Sequence, residues 1–161
     1  MKPGTLILIC GLPGAGKSTL AKKLEVERAA NRLCPDDWIL SILKDPKEVP
    51  ERNRLRDPVE QLLWREAQAL LKLGVTVILE NGFWAREERE GYLATGRNLG
   101  ARVELHFVDA PFDVLWSRVQ KRNLNPREFS ITKAEMDDAY IIFQPPSIEE
   151  GQTYDYFKQY E

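Results

Sequence analysis

Hydrophobic residues along this chain fall into short continuous runs separated by longer stretches with helical spacing. That alternation predicts β-α units built around a parallel sheet. Residues 5–10 read TLILIC, apolar throughout rather than at every second position, as expected of a strand covered by helices on both faces. A helix is predicted over residues 17–29, a brief strand over 32–34 and a short helix over 37–43. Residues 44–56 are charged, carry two prolines and lack a period, which predicts a loop or a mobile edge over a site.

Asp57-Pro58-Val59-Glu60 supplies an N-cap, a proline for the first helical position and a Glu at N3. The helix it predicts carries Val59, Leu62, Leu63, Leu70 and Leu73 on one face and stops at Gly74. Residues 75–79 predict a buried strand ending at Glu80, residues 85–99 a charged surface helix, and residues 103–108 a strand ending at Asp109. Pro111 opens another helix to about Arg122, and residues 123–131 form a polar loop. Thr132 and Glu135 repeat the capping box before a last helix, which Pro145-Pro146 stops. The aromatic tail, with Tyr154, Tyr156, Phe157 and Tyr160, is compatible with an edge strand or with packing on the core.

With 161 residues, 43% of them hydrophobic, the chain suits one compact domain spanning residues 1–161. The absence of a long apolar run or a signal-like start predicts a soluble cytoplasmic protein with no membrane partner. Cys10 and Cys34 lack metal-ligand spacing and are expected to be buried thiols. A net charge of −2 gives no broad basic face of the kind that tracks a nucleic-acid backbone, so nucleic acid is a disfavoured partner and small acceptors gain weight.

The chemistry concentrates in GLPGAGKST, residues 11–19. Gly11, four residues, then Gly16-Lys17-Ser18 matches the phosphate-binding loop, in which glycines let successive amides converge on phosphate oxygens at a helix start. Gly11, Leu12, Pro13, Gly14, Ala15, Gly16, Lys17, Ser18 and Thr19 are therefore the expected nucleotide contacts. Lys17 bridges the β- and γ-phosphates and Ser18 holds Mg²⁺.

Neither Asp-x-x-Gly nor Asn-Lys-x-Asp occurs, which argues against a guanine switch, and no room remains after residue 145 for the helical domain of a ring motor. A phosphotransferase needs its own positive groups and a closing loop. Arg118 and Arg122, four apart on one helix face, fit the first need, and a lid over residues 123–131 fits the second.

Parallel sheets set their sites at the carboxyl ends of strands, where Asp36 with Asp37, Glu80 and Asp109 all fall. Asp36 is the expected base for an incoming hydroxyl, with Asp37 able to exchange roles. Glu80 could hold the magnesium water shell or position the acceptor, and Asp109 suits a cap. His106, mid-strand, suits a satisfied core imidazole. Asn81, Trp84 and Arg86 are candidate acceptor contacts, although Phe83 and Trp84 would equally serve as core packing.

Taken together, GLPGAGKST, CPDDWI, VILENGFWAREER and VDAPFDVLWSRVQKRN resemble P-loop kinases grouped with the kinase domain of polynucleotide 5′-kinase, zeta-toxin and chloramphenicol-phosphotransferase-like proteins. The resemblance covers residues 5–145. Phe143-Gln144-Pro145-Pro146 is similar to the close of a small bacterial branch of ATP-binding proteins or predicted kinases.

It implies a three-layer α/β P-loop fold with a four- or five-stranded parallel sheet in the order 2-3-1-4, and ATP with Mg²⁺ as cofactors. It further implies Asp36 as activator of the acceptor hydroxyl, and Arg118 and Arg122 as phosphate contacts. Ile39 stands where the polynucleotide kinases carry an acceptor-gripping arginine, and Glu80 where an Asp is usual. The first departure argues against nucleic acid as acceptor. The expected activity is transfer of the γ-phosphoryl group of ATP to a hydroxyl of a small molecule. A polynucleotide 5′-hydroxyl kinase and an ATP-binding regulatory module are the alternatives.

Overall fold

The computed structural model describes residues 2–161. Its centre is β1 (Thr5–Cys10), flanked by β3 (Val77–Gly82) and β4 (Arg102–Val108), with β2 (Asn31–Leu33) and β5 (Tyr156–Tyr160) at the edges. All pairings are parallel and the order is β2-β3-β1-β4-β5, as expected for the first four strands. The tail resolves to the edge strand β5.

The continuous apolar runs are explained by two cores. Leu6, Leu8 and Cys10 of β1 face one side with Leu79 and Leu105; Ile7 and Ile9 face the other with Ile78. The first side is covered by α3 (Val49–Lys72), through Val59, Leu63, Ala67 and Leu71, and by Leu93 of α4 (Arg86–Asn98). The second is covered by Ala21 and Leu24 of α1 (Lys17–Glu27), Leu115 and Val119 of α5 (Phe112–Asn123), and Met136 and Ala139 of α6 (Lys133–Ile142). Two short helices, α2 (Pro35–Ile42) and α7 (Ile148–Gly151), complete the chain. No helix among the described residues is long and apolar enough to cross a membrane.

The largest departure from the predicted elements is at α3. The segment expected to be a loop is helical from Val49, and Pro58 lies inside the helix rather than at its start. Pro50 supplies the early proline instead. Pro58 deprives the Arg54 carbonyl of its helical donor, but both residues are exposed, so water can take that place. The extra turns persist because Leu55 packs on the core and Arg52 is buried. Likewise α2 begins at Pro35, so Asp36 and Asp37 sit in its first turn, where the helix dipole favours carboxylates, rather than at its cap.

Two features shape the strand ends. Between Leu8↔Leu79 and Cys10↔Gly82 the β1–β3 register slips, so Glu80 and Asn81 together oppose Ile9. Directly afterwards Gly82 has φ 88° and Phe83 φ 51°. A Cβ on Gly82 would lie 3.0 Å from Trp84 Nε1, and the buried Phe83 accepts a backbone conformation unusual for its type.

That turn is pinned by Arg89. Its Nη1 donates to Phe83 O at 2.8 Å, while Nε and Nη2 bond the Glu150 carboxylate at 3.1 and 2.9 Å. Both charged side chains are only 1% exposed.

A second polar cluster ties β5 to the sheet. Glu104 accepts two bonds from Arg28, at 3.0 and 2.9 Å, and lies 2.9 Å from His106 Nε2, while His106 Nδ1 meets the Tyr160 hydroxyl at 2.8 Å. His106 is thus the satisfied core imidazole expected of it.

Two outcomes follow. Glu150→Gln should lower the unfolding free energy by about 3–5 kcal/mol in urea titrations, because it strands the Arg89 charge, whereas Arg89→Met with Glu150→Met should cost less than the two single changes summed. Burial pushes the Glu104 carboxyl up, but the bonds from His106 and Arg28 outweigh it and hold the group near about 2 against an ordinary 4.5. Folding therefore weakens proton binding there. The stabilisation is complete above pH 4.5 and fades toward about 2, so acid should lower the wild-type urea midpoint more than that of Glu104→Gln.

Candidate active site

β1 delivers the chain into residues 11–16 and α1 takes it out from Lys17, with Gly16 as N-cap, so the loop's amides and the helix start share one mouth. Gly14 has φ 82°, and a Cβ there would lie 2.7 Å from Leu115 O, so α5 packs where only hydrogen fits. Arg118, on α5, donates through Nη1 to Gly14 O at 3.0 Å and so braces the loop from outside.

Lys17 Nζ donates to Leu12 O at 2.9 Å. Burial lowers its pKa, Asp36 opposes that shift, and Arg122 adds to it. Arg122, one turn beyond Arg118, has a buried Nε with no partner and lines the same cavity. That cavity, of about 550 Å³, runs from the loop past Asp36 to the residues after β3.

A chain of polar contacts crosses its floor. Ser18 Oγ donates to Glu80 Oε1 at 2.7 Å, Arg32 Nε holds Glu80 Oε2, and Arg32 Nη1 reaches Asp37 at 3.0 Å. Burial is the largest influence on Glu80 and pushes its carboxyl up despite the Ser18 and Arg32 bonds. Of the two neighbouring acids, Asp36 lines the cavity, with Oδ1 2.6 Å from Arg56 Nη1 in a contact poorly aligned for a hydrogen bond. Asp37 points out to Arg32.

The acceptor candidates divide. Asn81 lines the cavity, donating through Nδ2 to the Tyr92 hydroxyl at 3.3 Å, while its buried Oδ1 has no donor. Trp84 also lines it and is fixed by a 3.1 Å bond from Nε1 to Gly11 O, so it packs and borders the pocket at once. Arg86 is exposed, pairs with Glu90 at 2.8 Å and lies outside the lining. Asp109 lies outside it too. Gln144, in the Phe-x-Pro-Pro segment, receives the Arg86 amide at 2.8 Å and donates its own amide to Trp84 O at 2.9 Å.

Sequence reasoning missed the wall built by α3 and α4. Arg52, Arg56 and Glu60 repeat at four-residue spacing along α3 and all line the cavity, joined by Glu88 of α4. The spacing was visible, but Pro58 read as a helix start hid it. Burial pushes the Glu60 carboxyl up to about 7, helped by Glu88, Asp57 and Asp36 against Arg56, and burial raises Glu88 as well.

The segment of residues 124–131 closes one side. Asn123 clamps its base, with Nδ2 to Ile131 O at 2.8 Å and Oδ1 accepting from Ile131 N at 2.9 Å. Thr132 caps α6 as predicted. Arg52 holds the segment down from α3, donating to Ser130 O at 2.8 Å and to Glu135 Oε2 at 3.1 Å.

A phosphate-binding loop after the first strand of a 2-3-1-4-5 parallel sheet, with arginines of α5 beside it, defines a P-loop fold. The chain belongs to the family described as AAA domain, which matches residues 6–146. Among curated proteins none matches the sequence significantly.

Several solved structures share the fold. A candidate kinase from Chloroflexus aurantiacus aligns over 99% of this chain and 88% of its own, with TM-score 0.75 and 18% identity. Chaetomium thermophilum Kti12 in complex with ADP-AlF3 covers 96% and 87%, with TM-score 0.72 and 16% identity. A chain of the Pnkp1/Rnl/Hen1 RNA repair complex covers 96% of this chain and 47% of its own, with TM-score 0.71 and 22% identity.

Removing the α3 tether tests how residues 124–131 are held down. Arg52→Ala should speed tryptic cleavage after Arg127 several-fold, mapped by mass spectrometry, since opening of residues 124–131 then breaks two fewer bonds.

Proposed function

We propose that this chain is an ATP-dependent kinase that passes the γ-phosphoryl group to a hydroxyl of a small-molecule acceptor. The observation that carries this reading is one continuous cavity lined by Lys17, Arg122 and Asp36, with the phosphate-binding loop at one end. A nucleotide-binding loop alone would suit many functions. A carboxylate and an arginine facing the same space suit transfer to a second substrate.

In this reading the loop amides from Gly14 to Thr19 and the Lys17 ammonium cradle the β- and γ-phosphates of ATP. The acceptor oxygen attacks the γ-phosphorus, a new P–O bond forms, and the bond from that phosphorus to the β,γ-bridging oxygen breaks, leaving ADP. The hydroxyl proton passes to Asp36. Arg122 offsets charge on the equatorial oxygens as it redistributes, while Arg118 keeps the loop in shape from behind.

Magnesium fits the donor set: the Ser18 hydroxyl and the Glu80 carboxylate are hard oxygen ligands already 2.7 Å apart. Among the described residues no group of three or more His, Cys, Asp or Glu is assembled to hold a metal, so phosphate oxygens and water would complete its shell. Once bound, it would screen charge on the β- and γ-phosphates.

Two substitutions check the reading. Lys17→Ala should weaken nucleotide binding in calorimetric titrations. Asp36→Asn should leave that binding within a few-fold yet lower product formation by about 10²–10⁴-fold. Equal ATP consumption by wild type and Asp36→Asn, with no phosphorylated product, would instead favour a regulatory nucleotide-binding module. Arg56 beside Asp36 favours one second reading, a polynucleotide 5′-hydroxyl kinase, since it could grip an acceptor phosphate. A steep loss of affinity for a 5′-hydroxyl oligonucleotide with rising salt would support it.

A further inference from the structure

The charges around the cavity are not evenly matched. Arg52 is committed to Ser130 O and Glu135, Arg56 to Asp36, and Arg118 to Gly14 O. Glu80 is held by Ser18 and Arg32. Lys17 has only a carbonyl for a partner, and Arg122 Nε has none. At the phosphate-binding loop the uncommitted charge is therefore positive, as a triphosphate requires.

Elsewhere in the same cavity it is negative. Glu60 and Glu88 line the cavity, and neither makes a side-chain hydrogen bond or ion pair with any described residue. Asn81 Oδ1, in the same lining, is buried without a donor. Asn81 bonds the Tyr92 hydroxyl, which burial, with Glu60 and Glu88 adding to it, pushes up to about 12. Asp36 lines the same cavity. Phe83 and Trp84 supply apolar wall alongside.

Two half-buried carboxylates and an amide oxygen, all lacking donors, are costly unless the carboxyls take up protons or a ligand supplies donors. A phosphorylated acceptor would do the reverse and set anion against anion. We propose that the phosphoryl acceptor is a cationic hydroxyl compound, an amino alcohol or amino sugar, whose ammonium group lies between Glu60 and Glu88 while its reacting hydroxyl meets Asp36. This rests on the kinase reading above and names the substrate class of that site.

The test uses the full chain with ATP, magnesium and a metabolite extract divided on sulfonate and quaternary-ammonium resins into cationic, neutral and anionic pools. Mass spectrometry then follows which pool yields a product one phosphoryl group heavier, formed by wild type and not by Lys17→Ala. The cationic pool should yield it. With the acceptor so isolated, Glu60→Gln combined with Glu88→Gln should raise its KM about tenfold or more while nucleotide affinity is kept.

Acid should also raise KM as Glu60, facing Arg56, Glu88, Asp57 and Asp36, takes up its proton around about 7. The proposal is overturned by product from the neutral or anionic pool alone, by transfer to a 5′-hydroxyl oligonucleotide in preference to the cationic pool, or by an unchanged KM in the double variant. Nucleotide binding with no product from any pool would remove the kinase reading itself and the proposal with it. The pool assignment uses wild type, so it stands even where the double variant folds poorly.

Discussion

The course of the chain at the end of β3 constrains every part of the candidate site. On a strand, neighbouring side chains leave by opposite faces, and Glu80 and Asn81 do so: Glu80 meets Ser18 at the start of α1, while Asn81 turns to Tyr92 of α4 on the other side. Both border one cavity because it lies across the carboxyl ends of the strands, where β3 spends an extra residue against Ile9. The chain must then recover its course within a few residues, and the left-handed backbone at Gly82 and Phe83 is the means. Strain of that kind survives only if neighbours over-determine it. Here the Arg89–Glu150 pair holds the Phe83 carbonyl, Cys10 Sγ donates to the same oxygen at 3.3 Å, and Trp84 ties back to Gly11. Phosphate-binding loop, strand end and the cavity wall beyond β3 are one mechanical unit.

Charge is arranged on top of that unit by element. The loop and α5 bring lysine and arginine, α2 brings the two acids of its first turn, and α3 and α4 bring a mixed wall. Helix dipoles reinforce this order, since α1 and α2 both present their starts toward the ends of strands. Burial pushes the Cys10 and Cys34 thiols up to about 12, which disfavours their thiolates.

Much of the fold was legible because its signals are local. Continuous apolar strands, the glycine loop, the Thr132 cap and the order of the first four strands each follow from a few adjacent residues. The start of α3 was not, because a proline inside a good capping pattern outweighed a polar four-residue repeat whose value lies in what it touches. Arg52 and Arg56 gain meaning only when residues 123–131 and Asp36 are brought to them from far along the chain. In the site, Lys17, Ser18, Asp36 and Arg122 could be named from spacing and strand ends. Glu60 and Glu88 could not, since an exposed and a buried glutamate look alike in a string. Arg86 lies outside the cavity for the converse reason: proximity in sequence to a pocket residue says little when the helix turns its side chain to solvent.

The bond from Lys17 to the Leu12 carbonyl curls the side chain back over its own loop. The acceptor it holds is neutral, and an ammonium bonds a charged oxygen about twice as strongly, so the contact is one that an anion can displace. Burial adds to this, since it disfavours the ammonium and Asp36 opposes that shift. The lysine is thereby kept in place by a weak tether, with its charge held ready beside the start of α1.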